Sequence, residues 1–526
     1  MANTHLHVVW FKRDLRVHDH EPLANAAAAG PVLPVFAIEP GQWQAPDSAL
    51  RHWQFAADSL IDLSNALETL GLPLCLWQGN MVDLLSALKA HYDHITLHSH
   101  QETGNAWSFE RDKDVLSWCR QHNVAWQEAR QHGVLRGLTS RTGHQTRWES
   151  HWEALMTAPT FPAPQNPQAA PGWPAFHHID VGELYGLTLG FDTTPCPERQ
   201  PGGRREGRAL WRSFVGQRGR RYRGSLSKPL LAWEFGSRLS PHLAWGTLSM
   251  REVVQSLRRQ RAKHAEDSPW SRSLRAFTSR LYWHCHFIQK LESEPSMEHQ
   301  TLHPALRGLR ERDPYHPNLI AWKRGQTGVP LVDACMRSLI ATGWLNFRMR
   351  AMLISHATFG LGLHWYEPAL HLARLFTDFE PGIHYPQVQM QAGATGTNAL
   401  RVYNPIKQAE DNDPTGEFVA RWVPELTPLP LEWRAKPWTL PESLRQRFGF
   451  QPGEHYPLPH DFENEARHWK KILYELRRTP DAREASQAIV DKLASQRRLP
   501  TRRTKKAKAD NRQQLSLFDE GGLEDV

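Results

Sequence analysis

Five short, nearly continuous apolar runs, each followed by a stretch at helical spacing, constrain the first part of this chain more than any other feature. The runs are His7–Phe11, Val32–Ala37, Pro73–Trp77, His94–Leu97 and Asn123–Trp126. Apolar runs of this length read as strands buried on both faces. Between them, Leu60, Leu63, Leu67 and Leu70 fall on one helical face, and Gly71 follows as a stop. Val82–Leu88 is a second helical segment. Strands that alternate with helices are joined by crossovers, so the sheet they form is parallel and covered by helices. The G-x-G-x-x-G turn of a nicotinamide-type site does not follow the first strand.

The pattern then changes. Residues 136–203 are rich in Pro, Gly, Thr and Gln with little periodicity, and read as a long inter-domain connection. From 204 to 478 helical periodicity dominates, as in Pro330–Leu339, where Pro330 suits a first turn and Val332, Met336 and Leu339 share a face. Residues 479–526 form a tail, expected to be disordered, made basic by Arg497, Arg498, Arg502, Arg503, Lys505, Lys506 and Lys508. A chain of 526 residues exceeds one core. The expected fold class is thus an α/β domain with a parallel sheet (1–135), a connection, and a larger all-helical domain (204–478). The five cysteines are isolated and form no C-x-x-C pair, which argues against zinc, iron–sulfur and disulfide frameworks. No membrane span or signal peptide is evident, so a cytoplasmic monomer is expected. The net charge of +8 suits a polyanionic partner. The 22 tryptophans suit packing, base stacking or electron relay.

Four stretches carry a resemblance. They are Trp10-Phe11-Lys12-Arg13-Asp14-Leu15-Arg16; Ser237 through Gly246 (SRLSPHLAWG); Trp322 through Arg350, with TGVPLVDACMRSLIATGWLNFRMR; and Thr395-Gly396-Thr397 followed by Arg401-Val402-Tyr403-Asn404-Pro405. In this order and spacing, over roughly residues 5–475, the chain resembles the photolyase/cryptochrome family. The resemblance implies an N-terminal domain that often holds an antenna pigment, most commonly a folate, and a helical domain that buries FAD.

The resemblance also implies site residues. Ser237, Arg238, Leu239 and Ser240 would grip the FAD phosphates, where hydroxyls, amides and a guanidinium converge at a helix start. Tyr222 would contact the flavin. Arg350 and Asp378 resemble a pair lying along the flavin ring, with Glu380 in place of a second acidic residue. Trp283 resembles the tryptophan that stacks against a flipped, damaged base, and Trp365 the middle member of a tryptophan relay. Trp344 and Trp322 read as packing residues.

The pattern breaks at four points. Arg280 stands where an acidic residue usually bonds the lesion, and Phe347 stands for an Asn. The residue facing flavin N5 is His384 by one register and Tyr385 by another; His384 is preferred because that register aligns Asp378. The flavin-proximal relay tryptophan is replaced by Val388 or Gln389, so the usual relay is broken. The YWHCHF segment (282–287) puts His284, Cys285 and His286 on different helix faces, against a metal site.

In the tail, Gln514-Leu515-Ser516-Leu517-Phe518 matches the peptide with which bacterial repair proteins dock on the DNA sliding clamp. The expectation is a blue-light-driven, FAD-dependent enzyme that repairs pyrimidine dimers in damaged DNA. The alternative is a cryptochrome-type photoreceptor without repair.

Overall fold

The computed structural model describes residues 5–138, 145–171, 179–190, 192–265 and 268–493. All five expected strands are present: β1 (His5–Phe11), β2 (Val32–Ile38), β3 (Cys75–Gln78), β4 (His94–His100) and β5 (Ala125–Ala129). They form one parallel sheet in the order β3-β2-β1-β4-β5. Side chains alternate across β1. Leu6, Val8 and Trp10 join a core with Leu84, Leu85 and Leu88 of the helix Met81–Lys89, while Val9 and Phe11 join a core with Leu60, Leu63 and Leu67 of the helix Leu50–Thr69. Both faces are therefore covered, which is why the strands lack polar alternation. The chain reverses its direction of travel across the sheet between β1 and β4, and their carboxyl ends open into a crevice, the usual ligand position in such sheets.

The rest of the described chain is helical. Its largest core runs from Leu319 to Phe462 and includes Trp322, which is fully buried as expected. The helices Pro269–Ser293 and Pro381–Gln391 pack along each other. Gly382 makes this approach possible: a Cβ there would lie 2.7 Å from Ile288 Cα.

Two expectations are corrected. The connection is not without regular structure, because Gln145–Thr157 is a helix. Its Trp148, Trp152 and Met156 are buried in one cluster with Trp211, Phe277 and Leu281 of the helical half, a face too short and too tryptophan-rich to stand out as a periodicity. The segment Pro480–Leu493 is likewise a helix and not a loose tail. Ala482 and Leu493 are buried, His303 Nε2 meets the Ala482 carbonyl at 3.0 Å, and Lys492 pairs with Glu294 at 2.7 Å. Residues 514–518 lie outside the described residues. Among the described residues, no helix is long and apolar enough to cross a membrane.

Candidate functional site

The helical half encloses a cavity of about 420 Å³. That is within the range of pockets that bury small molecules. Ten of the residues singled out from the sequence line it: Tyr222, Ser237, Arg238, Leu239, Ser240, Trp283, Arg350, Asp378, Glu380 and His384. They come from segments far apart in sequence, from Tyr222 to His384, which the packing of the Trp283 and His384 helices brings around one space.

At one end, Arg238 holds a backbone φ of +55°. A left-handed conformation is costly for a residue with a Cβ and persists where the surroundings enforce it. Here Gln200 donates to the Arg238 carbonyl at 2.9 Å, and the Ser237 hydroxyl accepts from the Leu239 amide at 3.4 Å. The turn leaves Arg238 Nε buried without a protein partner. Burial pulls this guanidinium's pKa down, so an anion at this point would restore a lost charge partner.

At the other end, Arg350 clasps Asp378 with two parallel bonds of 3.0 and 2.8 Å, donates from Nε to the Leu345 carbonyl at 2.6 Å, and lies over Phe376 at 3.9 Å. The guanidinium is therefore fixed in both position and plane. His384 Nε2 donates to the Ala369 carbonyl at 2.9 Å, and burial pulls the imidazole down to about 4. The ring is neutral at physiological pH, and Nδ1 is its acceptor nitrogen. Glu380 is buried; Oε2 pairs with Arg13 at 3.2 Å, while Oε1 has no partner. Burial raises its carboxyl, opposed by Arg13. Asn346 Oδ1 is a further buried acceptor without a partner on this wall.

At both positions where two residues compete, one lines the cavity and the other does not. His384 lines the cavity, whereas Tyr385 turns away, 1% exposed, to donate to Asp47 at 3.1 Å. Val388 lines the cavity, whereas Gln389 is spent on Leu302, Met297 and Gln300. Trp365 does not reach the cavity. It is 3% exposed in the large core, and its Nε1 donates to Thr301 at 2.9 Å. Trp344, read as packing, instead lines the cavity and donates to Ser240 Oγ at 3.3 Å. Arg401 and Tyr403 also line it, a role the R-V-Y-N-P stretch signalled without specifying.

The mouth is basic and aromatic. Six arginines (223, 238, 280, 348, 350 and 401) line the cavity against two carboxylates, so an anionic occupant is favoured. Arg280 is hydrogen-bonded to the Tyr222 hydroxyl, which burial pushes up to about 12. Phe347 stands 42% exposed at the rim, and the Trp283 ring meets His286 edge-on at 4.6 Å. Of the YWHCHF residues (282–287), Trp283, His284 and Phe287 line the cavity, while Cys285 and His286 are buried elsewhere.

Two family models match this chain: "DNA photolyase" over residues 7–160 and "FAD binding domain of DNA photolyase" over 277–474. Together they span more than half of it. The chain belongs to the photolyase/cryptochrome family. It is 29% identical over 476 residues to a cryptochrome DASH of Gloeobacter violaceus, covering 86% of this chain and 92% of that one. It is 27% identical over 456 residues to a deoxyribodipyrimidine photo-lyase of Salmonella typhimurium, covering 83% and 93%. A solved Synechocystis cryptochrome shares the fold, with a TM-score of 0.79 at 23% identity over 90% of this chain and all of that one. Relatives of both names align at similar identity, so family membership leaves repair and photoreception both open. The residues of the cavity fit the dinucleotide that its family model names. The cavity walls carry a partly buried guanidinium whose Nε has no protein hydrogen-bond partner, a fixed cation–carboxylate pair, and the unpartnered acceptors Glu380 Oε1 and Asn346 Oδ1.

Proposed function

We propose that this protein is a light-driven DNA-repair enzyme that splits pyrimidine dimers, with residues 204–478 as the catalytic half and residues 1–135 as the antenna-type half. The observation that carries the reading is the mouth of the cavity. An indole and an exposed phenyl ring stand there within a set of arginines, and the cavity behind them is open to receive a group from solvent. That combination suits a base turned out of a duplex: the rings replace lost stacking, and the cations meet the flanking phosphates.

FAD, when bound, supplies a light-excitable electron donor. The Ser237–Ser240 turn with Arg238 holds the pyrophosphate. Arg350, kept in plane by Asp378, sets positive charge along the ring and favours its anionic form. His384 offers a neutral acceptor at Nδ1. Trp283 stacks on the substrate base. Dimer splitting needs no general acid or base, and the site accordingly carries no nucleophile–base pair of that kind. A folate-type or other antenna pigment is proposed for the N-terminal half, but the crevice beside β1 and β4, lined by Trp43, Trp107 and Trp245, has a free volume of about 70 Å³, too small for a folate without movement of its walls. The peptide Gln514-Leu515-Ser516-Leu517-Phe518 is proposed as a sliding-clamp ligand, to be tested by binding of the synthetic peptide to purified clamp.

The second reading, a photoreceptor without repair, draws on Arg280. At this position the Tyr222 hydroxyl meets a guanidinium, which cannot accept hydrogen bonds from a damaged base as a carboxylate there would.

The test is repair in vitro. Purified protein with reduced FAD is illuminated with a thymine-dimer oligonucleotide, in parallel with a 6-4 substrate, and restored thymine is followed by chromatography. Light-dependent repair is expected, with Trp283→Ala weakening damaged-DNA binding about tenfold or more while FAD stays bound, as expected for ~1–3 kcal/mol of stacking. FAD bound and photoreduced with neither lesion repaired would select the photoreceptor reading.

A further inference from the structure

A second, much smaller space lies between the two halves of the molecule. It has a free volume of about 20 Å³ and is walled by Asp14, His100, Glu102, Gln131, His132 and Glu380, among others. A buried water needs about 10–15 Å³ and two to four polar partners, so the space suits one water molecule. Glu380, Leu243 and Ala244 line both this space and the large cavity. Lys12, Arg13 and Glu102 line both it and the crevice at the ends of β1 and β4. Crevice, small space and large cavity thus share walls in a row.

The polar groups around the small space have a definite polarity. Asp14 Oδ2 receives His20 Nε2 at 2.9 Å and His100 Nδ1 at 2.6 Å, and Asp14 Oδ1 receives the Lys12 amide at 2.7 Å. Burial alone would raise this carboxyl, but the two imidazoles hold it well below the usual carboxylate range. An ionised carboxylate only accepts, so His100 carries its proton on Nδ1 and His20 on Nε2. The Leu23 amide donating to His20 Nδ1 at 3.1 Å agrees with that tautomer. These three residues lie close enough to hold a metal ion, yet both His20 nitrogens are committed to these hydrogen bonds, so a proton-locked triad accounts for them. His100 is left with Nε2 as a lone-pair acceptor, and burial pulls its imidazole down to about 3. Two further groups on the small space are buried without a partner: Glu380 Oε1 and His132 Nδ1.

We propose that Glu380 is the proton-exchanging group of the cofactor cavity, refilled through a buried water that His100 and Asp14 hold in place. The inference rests on the flavin reading of that cavity. Reduction of oxidised flavin to its anionic reduced form takes up two electrons and one proton. The electrons come in the light from two thiols that close to a disulfide and release two protons to solvent, so the flavin's proton is delivered inside the protein while the overall reaction releases one. Glu380, paired with Arg13 through Oε2, takes a proton on Oε1 from the water in the small space and passes it into the cavity, and the water recovers one from the crevice, past Lys12 and Glu102. His100 Nε2 accepts one hydrogen of that water and turns the other toward Glu380, so His100 is a positioning residue and Asp14 fixes its tautomer.

The experiment uses the full chain loaded with FAD. Proton uptake by the cavity during thiol-driven photoreduction is followed as the rate of appearance of the protonated reduced flavin by absorbance, in H₂O and D₂O and across pH, alongside light-minus-dark infrared spectra. Glu380→Gln is expected to abolish a protonated-carboxyl band and to slow proton uptake on the order of 10²-fold, the low end of general acid–base transfer. His100→Phe is expected to keep that band, slow uptake about tenfold and shift its pH profile, with Asp14→Asn giving the same shift through the reversed tautomer. If Glu380→Gln fails to hold FAD, the His100→Phe profile and Glu380→Asp, expected to restore part of the rate, decide instead. Bound FAD with uptake rate, isotope effect and pH profile unchanged in Glu380→Gln, or in His100→Phe when the Glu380 variant is empty, would overturn the proposal. A wild-type chain that binds no FAD would defeat the flavin reading itself.

Discussion

Replacing Asp378 by asparagine removes one charge from the pair that sets the polar end of the cavity. The Asp378 side chain is 3% exposed and that of Arg350 is 25% exposed. Deleting one partner of a buried ion pair costs about 3–5 kcal/mol, chiefly because the other charge is left buried and unpaired. Two features reduce that figure here. The guanidinium recovers part of its hydration through its exposed quarter, and asparagine Oδ1 still accepts one of the two bonds. The Nε bond to Leu345 and the Phe376 contact are untouched. A loss of about 2 kcal/mol of stability follows, or roughly a thirtyfold change in the folded-to-unfolded ratio. Arg350→Lys keeps the charge but loses the fork and is expected to cost about 1 kcal/mol. Urea unfolding of the FAD-free protein, followed by tryptophan fluorescence, measures both, and Arg350→Gln alone and combined with Asp378→Asn completes a double-mutant cycle. A coupling of at least ~1 kcal/mol between the two sites is expected. Asp378→Asn within ~0.5 kcal/mol of wild type, or additivity of the two single changes to that precision, would refute the reasoning.

Two further outcomes follow from the packing. Gly246 has φ +62°, and a Cβ there would lie 2.2 Å from the Arg13 carbonyl oxygen and 2.5 Å from Asp14 Cα, all backbone that cannot rotate away. Gly246→Ala is expected to destabilise by about 2–4 kcal/mol, from the left-handed φ and the overpacking together, and to lower FAD affinity by moving the halves apart; an unchanged unfolding midpoint would exclude this. The second outcome is acid sensitivity. Burial lowers His52 and His384 to about 4, and His242, His284, His356 and His371 to about 3, against 6.5 when unfolded. Between those values the unfolded chain binds more protons than the folded one. Stability is therefore complete above about pH 6.5 and falls as pH drops toward 3–4, by up to ~1.4 kcal/mol per pH unit for each such histidine. Urea midpoints between pH 7.5 and 5 check this, and His371→Gln should flatten the slope.

Much of this architecture was legible before any coordinates. The five strands of the α/β half announce themselves because a strand buried on both faces must be apolar throughout, and intervening helices force the parallel arrangement. The cavity residues announce themselves as motifs: SRLS, the TGW segment, and Asp378 with Glu380. The helix Pro480–Leu493 did not, because its composition matches a solvated tail and only its docking against His303 and Glu294 explains it.

What a chain shows locally is period and residue type, and these set the strands, the helices and the chemical character of the site. Where a given side chain points among neighbours hundreds of residues away is a property of packing. His384 and Tyr385 are adjacent, yet one faces the cavity and the other Asp47, because the Pro381–Gln391 helix can present only one face to each. Trp365 is held inside the core by a bond to Thr301, away from the cavity wall, while Trp344, expected in packing, lines the cavity. Arg13 meets Glu380 at 3.2 Å from the far end of the sequence. No periodicity records that contact, since it exists only once the sheet and the helical half have closed on each other.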